Sequence, residues 1–474
     1  MSQYTEEYLK NKLIEKLNCT HVEVIDQSDG CGGKFAAVIV SEQFAGKALL
    51  QRHRLVNSAL QEELKTIHAF SQKTYTPEHM SKKFQVSAPG KIILHGEHSV
   101  VYNKPAIAGP IGLRTYFNFE ETSEEFIEFN YIRLDLNCRM SLKNANSLLS
   151  DIDCCDSVQP MDFLQKFRES KDFILKFVDF GDRNLDNKEE MAIGSTLYIL
   201  NRILRHEKVK TFKNSFNIKI NSDMSIGAGV GSSASYGVCL SAGFFILSQI
   251  LNGKFDDKKF SEFSFDGNHT ILEQISQWAF DSEVIMHEKP SGIDNTICTY
   301  GQLIKFIRGQ TPQPIKMNGK IDILLVDTKV SRSTSHIVGK VANFRNKYSS
   351  VANAIFDAMG HLVNDVVTLF ESTKESDEKY QELSLLVSVN NNLLRSIGVS
   401  HPRLEKVFHI ADSYNFKAKL TGAGGGGCCF VLLPHNYESL ENYRKLCEEL
   451  TANNYQIMTT DIVDGSGVEF MNLN

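Results

Sequence analysis

The chain has 474 residues, 42% hydrophobic and 23% charged, the balance of a globular protein rather than a disordered or fibrous one. A formal net charge of −6 leaves no basic field to attract nucleic acid. Residues 1–17 are charged and amphipathic, unlike a signal peptide. The longest apolar stretch, residues 236–251, is broken by Ser241, Ser248 and Gln249 and is too short to span a bilayer, so a buried helix is expected there and no membrane partner. Ten cysteines include no C-x-x-C pair, which argues against a zinc site or a disulfide framework and for a reducing, cytoplasmic setting.

Taken in chain order, residues 4–17 carry Leu9, Leu13 and Leu17 at a spacing of four, which predicts an amphipathic helix. Residues 21–26 alternate Val22 and Val24 with polar side chains, the period of a strand. A turn-rich loop follows at 28–33, then a second strand at 35–40, a helix at 46–64 and a short third strand at 66–72. A last helix is expected after Pro77. The order α-β-β-α-β-α implies a small open sheet with helices on one side.

This opening segment resembles the BolA-like family over nearly its full length. The strings Gly-Lys-Ala-Leu-Leu-Gln-Arg-His-Arg-Leu-Val-Asn at 46–57 and Ile-His-Ala-Phe-Ser-Gln-Lys at 67–73 carry the match. The resemblance implies a monothiol glutaredoxin as partner and a shared [2Fe–2S] cluster, with Cys31 and His68 at the positions of the family's ligands. Thiolate and imidazole are both good iron ligands, but two cannot complete a cluster. Without the resemblance they read as a loop thiol and a half-buried sheet histidine. Met80 begins a fresh pattern without a Gly/Ser- or Pro-rich linker, which places a junction at 79–80.

Beyond the junction, residues 86–102 read Val-Ser-Ala-Pro-Gly-Lys-Ile-Ile-Leu-His-Gly-Glu-His-Ser-Val-Val-Tyr, with a strand at 84–87 and Lys91 opening the next one. A lysine there could neutralise phosphate charge or polarise a hydroxyl, or it could be a solvated surface lysine. Residues 120–190 are acidic and irregular, which reads as a peripheral, solvated excursion. Residues 225–235 read Ser-Ile-Gly-Ala-Gly-Val-Gly-Ser-Ser-Ala-Ser before an apolar, small-residue helix. Gly227, Gly229 and Gly231 can adopt angles closed to other residues, and a helix starting at Ser232 and Ser233 would offer unpaired N–H groups to an anion. The same glycines would also serve a plain turn before a core helix. The spacing is neither a Walker A motif nor the dinucleotide fingerprint. Glu283 lies on a helical stretch, 278–287, and Asp294 follows a rigid Pro-Ser-Gly turn. A strand at 322–326 precedes Asp-Thr-Lys-Val-Ser-Arg-Ser-Thr at 327–334. Finally, residues 419–433 set a four-glycine run, 424–427, before another strand.

Together these strings resemble the mevalonate kinase family, within the galactokinase–homoserine kinase–mevalonate kinase–phosphomevalonate kinase superfamily, from Met80 to the end of the chain. Ser225-Ile226 replaces the proline usual before the glycine loop. The resemblance implies an α/β (α+β) two-lobe small-molecule kinase fold behind the BolA-like domain, with domains at 1–79, 80–315 and 316–474. It implies a chain that phosphorylates mevalonate with ATP and Mg²⁺ and forms a homodimer. It assigns Lys91 and Asp294 to catalysis. The backbone of Gly227, Ala228, Gly229, Val230, Gly231, Ser232 and Ser233 would hold the triphosphate, with Ser233 and Glu283 on the metal. His98 and Thr334 would hold the substrate, and Gly424–Gly427 would back the phosphate pocket. The alternatives are a kinase of the same superfamily acting on galactose or homoserine, and an iron–sulfur adaptor whose kinase part is passive.

Overall fold

A computed structural model describes every residue except 1–3, 29–32, 77–81, 123, 151–158, 170–176, 182, 256, 288–289, 318, 332, 466 and 474. The chain divides into two units, Met1–Lys83 with Phe255–Phe263, and Phe84–Lys254 with Ser264–Leu473.

In the first unit the Glu6–Leu17 helix starts at Thr5, whose hydroxyl accepts from Tyr8 N at 3.2 Å, and buries Leu9, Leu13 and Leu17. Three strands follow: β1 (Cys19–Asp26), β2 (Lys34–Ser41) and β3 (Ala69–Tyr75). They lie in the order β1-β2-β3, with β1 and β2 antiparallel and β2 and β3 parallel. A parallel pair needs a crossover, and the Leu49–Ala59 helix supplies it, packing Val56 into a core with Phe35, Ile39 and Phe44. Buried Glu63 pairs with Lys12 and accepts from the Tyr8 hydroxyl at 2.9 Å. The third strand begins later than residue 66 because a 3₁₀ turn at Glu63–Lys65 holds the chain back, with Ile67 N bonded to Glu63 O at 2.9 Å. The helix expected after Pro77 starts, and the 79–80 junction falls, on residues outside those described.

The second unit opens with β4 (Lys83–His95), a single strand running through Pro89 and Gly90. Lys91 therefore sits inside a strand rather than opening one. Gly90 permits this because an added Cβ would stand 2.7 Å from Val230 O and 2.3 Å from Met224 Sδ. The remaining strands are β5 (Ala106–Thr122), β6 (Phe126–Tyr131), β7 (Leu136–Ser141), β8 (Ser215–Ser222), β9 (Ile304–Phe306), β10 (Gln313–Pro314), β11 (Lys320–Asp327), β12 (Lys417–Leu420), β13 (Cys428–Leu432), β14 (Gln456–Val463) and β15 (Glu469–Asn472). The main path runs β12-β13-β11-β14-β5-β8-β6-β7, and β4 lies between β5 and β15. β11 is buried on both faces: Leu324 and Val326 enter one core cluster, Ile323 and Leu325 another.

The apolar stretch at 236–251 belongs to the Ser232–Leu251 helix, the one helix among the described residues long and apolar enough to cross a membrane, and 83% of its apolar window is buried inside the protein. It lies close against β5: a Cβ added to Gly243 would meet the Phe117 ring at 2.6 Å. Residues 120–190 correct the expectation of a solvated excursion. Their strand β6 pairs with β8, and Tyr131, Arg133, Leu134 and Lys188 line the main cavity.

Candidate active site

The glycine loop leads from β8 into the Ser232–Leu251 helix. Gly227, Gly229 and Gly231 have φ of 81°, 83° and 76°, the left-handed region. The residues between them turn inward: Ala228 is 3% and Val230 0% exposed, packed with Ile92 and Met224. The loop is thus anchored by two apolar side chains while its glycines line a cavity of about 820 Å³. Any other residue at Gly231 would displace Lys91, since a Cβ would stand 2.7 Å from Lys91 Cγ. No side chain caps the helix that begins at Ser232, which leaves its first N–H groups suited to an anion.

Lys91 N donates to Val230 O at 2.8 Å, which ties β4 to the loop. Its ammonium lies 3.1 Å from Asp294 Oδ2 and is 9% exposed. Asp294 is in the first turn of the Ile293–Tyr300 helix, aimed by Gly292 at φ 80°. Glu283, on the His269–His287 helix, is 3% exposed and sits behind the cavity wall. Burial first, then the negative charge of Asp294, push its carboxyl up to about 7, against the Ser233 hydroxyl and Lys91. Glu283 Oε1 has no hydrogen-bond partner among the described residues. One helical turn on, His287 Nε2 lies 3.0 Å from Ser233 Oγ.

Across the cavity, His98 is the central residue of a tight turn with φ 61° and ψ −45°, and its Nε2 lies 2.8 Å from Ala423 O. Thr334 lines the cavity as the first residue of the Thr334–Lys347 helix, whose N-cap Ser333 accepts from His336 N. Gly422 and Ala423 form that wall. Gly424–Gly427 pack behind it: Gly425 N bonds Val399 O at 2.7 Å and Gly427 N bonds Val330 O at 3.1 Å. Ile226, where the loop lacks proline, is 43% exposed at the cavity edge, which continues into an apolar recess with Tyr131, Leu134, Ile220 and Met286.

Lys91, Asp294, His98, Thr334, Ser232, Ser233 and the three loop glycines therefore share one cavity. Ala228 and Val230 contribute backbone only, and Glu283 reaches the site from behind Ser233. In the first unit Cys31 lies outside the described residues. His68 is exposed, with its N–H on Gly33 O at 2.9 Å.

Sequence reasoning passed over three groups. His287 stands four residues after Glu283, the spacing that shares a helix face, and could have been found. Glu97 and Lys419 form a buried ion pair across 322 residues of chain, which no local pattern reveals.

A family model described as BolA-like protein matches residues 13–79, one for the GHMP kinases N terminal domain 196–302, and one for GHMP kinases C terminal 369–452. A mevalonate kinase of Gibberella zeae is 32% identical over 419 residues, 82% of this chain and 78% of that protein. The mevalonate kinase of Arabidopsis thaliana is 31% identical over 81% of this chain and 98% of its own length. The crystal structure of the Methanococcus jannaschii mevalonate kinase shares the fold, with a TM-score of 0.57 at 22% identity over 80% of this chain and 98% of that one. The chain belongs to the mevalonate kinase family of GHMP kinases and carries a BolA-like module ahead of the kinase.

Proposed function

We propose that this chain transfers the terminal phosphoryl group of ATP to the 5-hydroxyl of mevalonate, giving 5-phosphomevalonate for isoprenoid and sterol synthesis. The observation that carries the reading is the Lys91–Asp294 pair, 3.1 Å apart and facing the same cavity as an uncapped helix start behind a three-glycine loop. The backbone from Gly227 to Ser233 would hold the triphosphate. Asp294 would accept the proton of the attacking hydroxyl or orient it, as the new O–P bond forms and ADP leaves. Lys91 would hold Asp294 in place and stabilise charge building on the transferred group. His98 and Thr334 would hold the acceptor alcohol.

The residues suit a divalent cation. Glu283 Oε1 is a buried carboxylate oxygen without a protein partner among those described, beside the Ser233 hydroxyl, the hard-oxygen chemistry that Mg²⁺ prefers. Ser233 and Glu283 would hold it; when bound, Mg²⁺ would neutralise charge on the triphosphate. The test is ADP release with mevalonate, galactose and homoserine as acceptors. Turnover with mevalonate alone is expected; preference for either other acceptor overturns the substrate assignment.

The domain limits follow the same reading: a BolA-like module over 1–79, a kinase lobe over 80–315 carrying the nucleotide and substrate groups, and a second lobe over 316–474. A cytoplasmic location agrees with the seven described cysteines, all free thiols, and a homodimer is the family's expected assembly. For the first unit, we propose a [2Fe–2S] cluster shared with a monothiol glutaredoxin and held here by Cys31 and His68. The exposure of His68, whose N–H is held on Gly33 O, two residues from Cys31 in sequence, supports it. Co-expression with a monothiol glutaredoxin should give a complex with cluster absorbance that is lost in Cys31→Ala/His68→Ala; normal cluster assembly by that variant removes the two ligands from consideration.

A further inference from the structure

The turn at His98 is a γ-turn: Ser99 N donates to Glu97 O at 2.7 Å across a central residue with φ 61° and ψ −45°. That conformation is rare and strained, and a histidine gains none of the relief a glycine would. A strained residue persists only where its surroundings over-determine it. Here the surroundings are specific. Glu97, the residue before His98, is 1% exposed and forms an ion pair with Lys419, which is 0% exposed. Glu97 Oε2 accepts from Asn390 Nδ2 at 3.1 Å, and Lys419 Nζ also donates to Leu420 O at 2.9 Å. The Lys419 ammonium further lies 5.2 Å over the Phe430 ring. Two residues on, Thr421 Oγ1 donates to Ile93 O at 2.9 Å, a second tie between the two segments that carry the pair.

We infer that the buried Lys419–Glu97 ion pair is a positioning device that holds the strained turn closed and so fixes the His98 imidazole against the acceptor alcohol. The inference rests on the reading of His98 as a substrate-holding residue. Without Lys419, an uncompensated buried carboxylate seeks water, and the nearest water is in the cavity that Glu97 and His98 both border. The turn then opens and the imidazole loses its place. Lys419 is 0% exposed and does not line the cavity, and Glu97 is 1% exposed at its border. Their effect is confined to the acceptor side, because the glycine loop is anchored separately through Ala228 and Val230.

The experiment measures KM for mevalonate and for ATP in Lys419→Met, Glu97→Gln, His98→Ala and Lys419→Met/His98→Ala. Lys419→Met should raise KM for mevalonate on the order of tenfold to a hundredfold and leave KM for ATP within about twofold. Added to His98→Ala, it should cost nothing further in KM for mevalonate, because the pair acts through the imidazole. If Lys419→Met does not fold, Glu97→Gln carries the same expectation, since its carboxamide breaks the ion pair that holds the turn. Equal increases in both KM values, or full additivity with His98→Ala, overturn the inference in favour of a general structural role. An unchanged KM for mevalonate in His98→Ala instead overturns the substrate-site reading, which separates the two failures.

Discussion

Burial sets the function of Glu283 against its stability. Its carboxyl, raised to about 7, holds a proton in the folded chain that the unfolded chain releases near pH 4.5. The folded state therefore binds more protons between those values, and stability is lost as pH rises from about 4.5 to about 7. The shift corresponds to about 3 kcal/mol against folding at neutral pH, relative to an ordinary carboxyl. Glu283→Gln should thus unfold at higher urea than the parent at pH 8 and at similar urea near pH 4.5, while losing most turnover. Trp278, the only tryptophan and on the same helix, reports that transition by fluorescence; a variant no more stable at pH 8 contradicts the burial argument. Because the proposed cation site would need the ionised carboxylate, KM for Mg²⁺ should fall as pH rises through about 7. Asp294→Asn keeps the size of the side chain and removes the charge that Lys91 pairs with. A loss of about a hundredfold or more in turnover with nearly unchanged ATP affinity is expected, and near-normal turnover would remove Asp294 from the chemistry.

At the scale of the element, the glycine loop separates two roles that its sequence merges. A Cβ at Gly227 meets nothing within 4 Å but faces the cavity at φ 81°. Gly227→Ala should cost about 1 kcal/mol of stability and act on KM for ATP. A Cβ at Gly231 strikes Lys91 at 2.7 Å, so Gly231→Ala should displace that lysine and lower kcat more than it raises KM for ATP. Steady-state kinetics on both variants distinguish them, and identical profiles would refute the division. The loop was legible because glycine spacing is local information. The helix start at Ser232, Asp294 after its Pro-Ser-Gly turn and the leucine stripe of the first helix were legible for the same reason. What was not legible depends on distance or on sacrificed local rules. β4 runs through Pro89-Gly90 because the chain must pass close to Met224 and Val230. Tyr131, Arg133 and Leu134 reach the cavity because β6 pairs with the sequence-distant β8, Tyr131 opposite Ile220. The Glu97–Lys419 pair joins two strings that each read as a motif of their own.

Across the whole molecule, every cavity-lining residue falls between Lys91 and Ala423, and the first unit has its own core from Leu9 to Ile67. A chain beginning at Met80 should therefore keep kcat and both KM values within about twofold of the full chain, a conservative margin for a site that loses no contact residue. A tenfold loss would mean that the first unit acts on the catalytic cycle, and parallel assays of the two proteins decide it. One feature of the second unit bears on how such modules can be joined. β15 pairs antiparallel with β4, with Asn472 opposite Phe84 and Glu469 opposite Ser87. The first and last strands of the kinase fold are neighbours, and their paired residues, 84–87 and 469–472, are not among those that line the cavity. A short bridge between those ends, with the chain reopened at an exposed loop, would give a circular permutant with the same sheet.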